Sequence, residues 1–288
     1  MKPAAFDYVC AESVEHAVQA LAEAGGDGKI LAGGQSLMPM MNFRLVKPSV
    51  LVDINRIAGL DRVQQRGERL VLGALVRHRM TATDPLIARH VPVLHRAMRD
   101  VAHLTVRNRG TFCGSVCHAD PAAEMPMMSL LLNGTIHVSS LRGARAVPAR
   151  DFFVGSLVTV LEPDELVTEI EIDILPERSG WAFEEFSRRQ GDYALASVAV
   201  TLDRRDDLAC NVRLALMGVG ETPVRMPQIE AMLEGQPIGG KPLDAAIAVL
   251  REQVTPNSDL NASSDYRRHL AGVLTRRALS DAWTRAAA

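Results

Sequence analysis

Two short glycine-containing segments, at residues 32–36 and 111–115, constrain this chain more than any other part of its sequence. The first is Ala-Gly-Gly-Gln-Ser and the second is Thr-Phe-Cys-Gly-Ser, so both consist mainly of small residues and both end in a hydroxyl. Glycine lacks a Cβ, which permits positive φ and lets main-chain N–H groups approach an anion closely. We therefore predict two loops that hold a pyrophosphate from opposite sides.

Residues 1–177 alternate between segments with helical and strand periodicity. Ser13 is a predicted N-cap, because apolar residues recur at helical spacing from Val14 to Leu21. Strands are predicted at residues 29–31, 50–54, 135–138 and 166–174, a hairpin at 60–76, and helices at 91–104 and 122–132. This alternation favours an α/β fold.

The sequence turns polar around residues 176–180, where we place a domain boundary. Beyond it, strands are predicted at residues 197–202 and 210–217, and helices begin near Pro227, Pro242 and Asp265. Strands followed by helices are typical of an α+β domain rather than of a second parallel sheet.

Charge and hydropathy exclude several classes of protein. Lysine and arginine number 32 and aspartate and glutamate 34, with no block of five like charges. The sequence therefore indicates neither a basic stripe that would bind nucleic acid nor a charged patch that would bind a membrane surface. Apolar stretches such as residues 125–132 are shorter than the ~18 residues that a membrane span needs. The first residues contain no apolar signal region, so we expect an unexported, cytoplasmic protein.

Four cysteines form no disulfide framework in a chain of this length, which favours a reducing compartment. Cys113, Cys117 and His118 lie close together in sequence, but no further ligands accompany them. A closed zinc or iron–sulfur site normally needs four ligands. Small buried thiols are therefore the preferred interpretation, and a redox role for the two cysteines stays open.

Familiar nucleotide and hydrolase motifs are missing. Residues 218–220 lack the third glycine of a dinucleotide fingerprint, and neither Lys29 nor Lys241 is followed by Ser or Thr as in a P-loop. No Gly-x-Ser-x-Gly elbow and no His-Glu-x-x-His motif are present. A chain without an acid–base couple suits a bound cofactor that performs the chemistry itself.

The two segments and their flanks, residues 29–39 and 107–124, resemble the FAD-binding medium subunit of the molybdenum hydroxylases, whose relatives include carbon monoxide dehydrogenase and xanthine dehydrogenase. Residues 51–55, 187–194 and 266–270 also match, so the resemblance covers essentially the whole chain. It implies a two-lobed FAD-binding domain of the PCMH/vanillyl-alcohol-oxidase-like type at residues 1–177, with sub-lobes at about 1–56 and 57–177. A smaller C-terminal flavoprotein domain, with a three-stranded antiparallel sheet and helices, is implied at residues 178–288.

The resemblance also implies FAD as the cofactor of this chain. Glu124 corresponds to an acidic position that contacts the flavin polyol, and Tyr193 to a residue beside the isoalloxazine, with a tyrosine in a strand core as the alternative. Leu166 or Val167 could line the ring similarly, but apolar packing within a strand is the preferred interpretation. Two departures stand out: Cys113 replaces a usual glycine, and Glu184 and Glu185 stand where some relatives have a lysine. The positions assigned to FAD are Ala32, Gly33, Gly34, Gln35, Ser36, Leu37, Thr111, Cys113, Gly114, Ser115, Asp120, Glu124 and Tyr193.

The function implied by the resemblance is electron transfer. A small subunit with two [2Fe–2S] clusters and a large molybdopterin subunit are the implied partners, in a dimer of heterotrimers, with an external electron acceptor. The substrate, oxidised on the large subunit, is not encoded in this chain. Two alternatives remain open from the sequence: a self-contained flavoenzyme of the same superfamily, and a non-enzymatic nucleotide-binding module.

Overall fold

A parallel sheet and two helices form the first part of the chain. The computed structural model describes residues 2–286. Its elements are β1 (Asp7–Cys10), α1 (Val14–Glu23), β2 (Gly28–Leu31), α2 (Leu37–Asn42) and β3 (Val50–Asp53). The strands form a sheet with the order β1-β3-β2, in which both pairs are parallel. The predicted cap is confirmed, since the Ser13 side chain accepts a hydrogen bond from the main-chain N–H of His16.

A five-stranded antiparallel sheet follows, with the strands β4 (Val63–Arg66), β5 (Arg69–Gly73), β6 (Thr135–Ser140), β7 (Gly143–Pro148) and β10 (Leu166–Asp173). Their order in the sheet is β4-β5-β10-β6-β7. The helices between β5 and β6 are α3 (His78–Thr83), α4 (Pro85–His90), α5 (Pro92–Ala97), α6 (Leu104–Arg107), α7 (Phe112–His118) and α8 (Glu124–Leu131). After β7 come a 3-10 turn (Ala149–Asp151) and the ribbon of β8 (Phe153–Gly155) and β9 (Val158–Thr159).

An antiparallel sheet covered by helices comes last among the described residues. Its elements are β11 (Gly180–Ser187), β12 (Ala194–Arg205), β13 (Leu208–Met217), β14 (Val224–Arg225), α9 (Pro227–Leu233), α10 (Gly240–Gln253) and α11 (Ser264–Ala286). The strands lie in the order β11-β12-β13-β14. Three long strands match the predicted sheet, and the two-residue β14 adds a fourth strand that the sequence did not indicate. The α/β plus α+β architecture is confirmed.

Two helices have boundaries in the structure that differ from those predicted from the sequence. The helix predicted at residues 91–104 is two short helices, α5 and α6, separated by Ala102 with a φ of +41°. The helix predicted at 122–132 begins at Glu124, because the Asp120 carboxylate accepts from the main-chain N–H of Ala122 and forms a turn before it. None of the helices described in residues 2–286 is long and apolar enough to cross a membrane.

Candidate functional site

A cleft of about 800 Å³ contains every position that the sequence assigned to the cofactor. The first wall consists of residues 32–37, and a second wall contains Thr111, Cys113, Gly114, Ser115, Cys117 and His118. Asp120, Glu124 and Tyr193 line the same cleft, as do Leu166 and Val167. The fold therefore brings together segments that lie far apart in sequence.

The two glycine segments touch each other at Gly33. A Cβ built on Gly33 would lie 2.4 Å from the carbonyl oxygen of Arg109 and 2.7 Å from the Cα of Gly110. Both neighbours are backbone atoms of the stretch that leads into Thr111, so no side-chain rotation could relieve the clash. The absent side chain at Gly33 is what permits this close approach. Gly34 has a φ of +69°, which supplies the turn after β2.

We predicted a loop for the second segment, but this segment forms the start of helix α7. Thr111 is its N-cap, and the Thr111 hydroxyl accepts from the main-chain N–H of Gly114 at 3.0 Å. A Cβ on Gly114 would lie 2.5 Å from that hydroxyl oxygen, so glycine is required beneath the cap. Ser115 lines the cleft one residue later.

Cys113 differs from the other positions in this segment. Its thiol points into the core, 3.6 Å from the carbonyl oxygens of Leu72 and Gly73, and the residue is 2% exposed. Burial raises the pKa of this thiol well above its usual value. Cys113 is helical and does not have a positive φ, so replacing the usual glycine causes no backbone strain here. Its contribution to the cleft is therefore its main chain.

A polar network fixes the first segment from behind. The side-chain amide of Asn55 donates to the carbonyl oxygen of Ala32 at 2.9 Å and to the Asp53 carboxylate at 2.6 Å. The Tyr8 hydroxyl donates to the other oxygen of Asp53, also at 2.6 Å. The guanidinium of Arg77 donates both to Asn55 and to the carbonyl oxygen of Arg109. One arginine thus ties the turn after β3 to the stretch before α7.

Main-chain donors are left free on the first wall. Within residues 2–286, no acceptor meets the main-chain N–H groups of Gly33, Gly34, Gln35 and Ser36. Successive main-chain N–H groups without a partner in the protein are free to bind an anion, and four in a row beside a glycine turn suit such a ligand. The nearby Asp53 carboxylate accepts hydrogen bonds on both oxygens, and the positive charge of Arg77 beside it offsets part of its repulsion of such an anion. This donor set fits a diphosphate.

Acidic and aromatic side chains surround the mouth of the cleft. Glu124, the first residue of α8, is half-buried, and burial together with the negative charge of Glu185 raises its pKa well above the usual range. Tyr193 precedes β12 and is 69% exposed, so the alternative of a tyrosine in a strand core is wrong. Partial desolvation of the hydroxyl beside the cleft, with the negative charges of Asp120 and Glu124, raises its pKa. Tyr193 therefore remains a neutral ring at the opening.

His78 also lines the cleft, although no sequence pattern indicated it. The imidazole is 6% exposed beneath Gly110, and its Nδ1 atom has no hydrogen-bond partner among the described residues. Burial, with a smaller contribution from the charge of Arg107, lowers the pKa of His78 to about 4. The stretch 157–163 completes the wall and was also missed, because it contains only a turn and one short strand.

Two family models cover the chain almost end to end. Residues 4–173 match the model described as FAD binding domain in molybdopterin dehydrogenase. Residues 181–282 match the CO dehydrogenase flavoprotein C-terminal domain. All of the cleft positions described above lie within the first match, except Tyr193, which lies in the second.

Individual relatives agree with the family models. The chain is 40% identical to the 6-hydroxypseudooxynicotine dehydrogenase complex subunit alpha of Paenarthrobacter nicotinovorans, over 99% of this chain and 97% of that protein. The structure superposes on carbon monoxide dehydrogenase from Hydrogenophaga pseudoflava with a TM-score of 0.97, at 35% identity and 99% coverage of both chains. Quinoline 2-oxidoreductase from Pseudomonas putida 86 gives a TM-score of 0.95, at 38% identity and 99% coverage of both chains. This chain belongs to the family of FAD-binding medium subunits of the molybdenum hydroxylases.

Proposed function

We propose that the cleft binds FAD with its diphosphate between residues 32–37 and 111–115 and its isoalloxazine ring near Tyr193. The observation that carries this proposal is the row of unpartnered main-chain N–H groups from Gly33 to Ser36, facing a second segment held in backbone contact. Hydrogen bonds to a charged phosphate are stronger than those between neutral groups, so these donors suit it well.

The remaining positions have complementary roles in this proposal. The Ser36 and Ser115 hydroxyls add donors at the two ends of the diphosphate site. Asp120 and Glu124 meet the polyol of the cofactor, where a protonated Glu124 can donate as well as accept. Tyr193, Leu166 and Val167 enclose the ring, with the tyrosine on the open side.

We further propose that the chain passes electrons from [2Fe–2S] clusters of a small subunit to an external acceptor. Bound FAD supplies the ability to take electrons singly and release them as a pair, and the polypeptide supplies binding and orientation. The relatives support a subunit role, since one is named as a subunit of a dehydrogenase complex. A large molybdopterin subunit would then hold the substrate, in a dimer of heterotrimers.

The substrate is a property of that large partner. The relatives named above are called after different substrates, 6-hydroxypseudooxynicotine, carbon monoxide and quinoline, although this chain resembles each of them at 35 to 40% identity.

We also propose a cytoplasmic location, which the four free cysteines support. The division into domains at residues 177 and 178 stays a prediction, and the two family matches, which end at 173 and begin at 181, support it.

Two experiments test this function. Purification of the tagged chain from its native source should yield two unlike partner subunits and one FAD per chain, whereas a colourless chain without partners would contradict the proposal. Competition on the flavin-free chain separates the parts of the site: ADP should displace FAD, while FMN, which lacks the diphosphate, should compete weakly. Equal competition by FMN would contradict the diphosphate assignment.

A further inference from the structure

A buried arginine in the C-terminal helix stands outside the roles described so far. Arg267 lies in the first turn of α11 and is only 7% exposed, which is rare for arginine. A positive charge in the first turn also opposes the helix dipole, so helix stability does not explain this residue. Other contacts must offset both costs.

Arg267 is held by three acceptors from three segments. Its Nη1 atom donates to the carbonyl oxygen of Leu195 at 2.6 Å and to that of Gly218 at 3.4 Å. Its Nη2 atom donates to the Asp259 carboxylate at 2.8 Å. Asp259 also accepts from the main-chain N–H groups of Asn261 and Ala262, so the carboxylate is itself fixed in place.

Two of these segments lead directly to the cleft. Leu195 is two residues beyond Tyr193, near the start of β12. Gly218 follows β13 with a φ of +73°, and a Cβ there would lie 2.8 Å from the Leu195 carbonyl oxygen. The main-chain N–H of Gly218 then donates to the carbonyl oxygen of Pro121 at 2.9 Å, three residues before Glu124.

We propose that Arg267 is a positioning residue that fixes Tyr193 and the residues 119–124 at the mouth of the cleft. The guanidinium binds the carbonyl oxygen of Leu195, in the strand that follows Tyr193. It also binds the carbonyl oxygen of Gly218, whose main-chain N–H donates to Pro121. An arginine suits this place better than a lysine, because its planar fork directs two nitrogens toward separate acceptors. The inference rests on the proposed function only in that FAD is the ligand of this cleft.

The test uses the full chain with a matched pair of variants. Arg267→Met removes all three hydrogen bonds, and Arg267→Lys keeps the charge without the fork. Arg268→Met is the control, since Arg268 lies in the same helical turn but, among the residues that the structure describes, hydrogen-bonds only to Asp265 and Ser264. Asp259→Asn is a milder variant on an exposed carboxylate, in case Arg267→Met does not fold.

Two readouts separate positioning from cofactor binding. Amide hydrogen exchange of the flavin-free chain should accelerate about tenfold at Gly218 and in residues 192–196 in both Arg267 variants, and less in Asp259→Asn. The Kd for FAD should rise about tenfold, with a changed visible spectrum of the bound flavin. The Arg268→Met variant should match wild type in both.

Each outcome bears on one claim. Wild-type exchange in Arg267→Met, or an equal effect in Arg268→Met, would overturn the positioning role. Faster exchange with weaker FAD binding and an altered spectrum supports it. Faster exchange with unchanged affinity and spectrum also supports positioning, and it contradicts instead the placement of FAD beside Tyr193.

Discussion

Gly33→Ala is the change that most directly perturbs the contact between the two glycine segments. The added methyl would lie 2.4 Å from the Arg109 carbonyl oxygen and 2.7 Å from the Gly110 Cα. Non-bonded carbon atoms settle at about 3.5–4.0 Å, so the two segments would have to separate by about 1 Å. The Arg109 carbonyl is also held by Arg77, so it resists this movement.

This displacement should cost free energy both in folding and in FAD binding. Overpacking of this kind typically costs about 1–3 kcal/mol of stability. A misaligned hydrogen bond to a charged phosphate costs about 1.5–3 kcal/mol, so the Kd for FAD should rise about 10- to 100-fold.

The assay is titration of the flavin-free full chain with FAD, following quenching of flavin fluorescence, with thermal unfolding measured separately. Gly155→Ala is the matched control, because a Cβ there meets nothing within 4 Å and the residue has no positive φ. The control should bind FAD like wild type. A folded Gly33→Ala protein with wild-type affinity would refute the reasoning that the close approach of the segments forms the diphosphate site.

Three further changes test other parts of the site. Tyr193→Ala should alter the absorbance spectrum of bound FAD while the free energy of unfolding changes by less than ~0.5 kcal/mol, because the side chain is 69% exposed; an identical spectrum would remove Tyr193 from the site. Asn55→Ala should weaken FAD binding about tenfold by freeing the Ala32 carbonyl, and an unchanged Kd would count against the network. The pKa of His78, about 4 in the folded chain against 6.5 for a free histidine, means that the unfolded chain binds more protons between these pH values. The free energy of unfolding should therefore fall as the pH drops from 6.5 to 4, and urea unfolding of the flavin-free His78→Phe variant should lack about 3 kcal/mol of that loss; an unchanged slope would contradict it.

Local sequence signals predicted most of the fold. Apolar runs located β2 and β3, and the turn at residues 66–68 located the hairpin of β4 and β5. The helix α7 was missed because Gly114 disfavours helix in isolation. It forms because Thr111 caps it and because Phe112 and Val116 are buried in the core. Tertiary packing thus overrode local propensity.

The site was predicted where its chemistry lies in the main chain and missed where it depends on packing. Glycines at positions 33 and 34 are visible in sequence because few other residues serve a tight anion-binding turn. His78 lies between two arginines in the sequence and gives the pattern of a surface segment. Its burial depends on tertiary contacts, among them Gly110, which comes from a distant stretch and packs on the ring. No local pattern reports such a contact.

The most direct measurement is a crystal structure of the full chain with bound FAD. We predict diphosphate oxygens within hydrogen-bond distance of main-chain N–H groups from both residues 33–36 and residues 111–115, with the isoalloxazine ring beside Tyr193. A diphosphate that is bound by one segment alone, or in another part of the molecule, would contradict it.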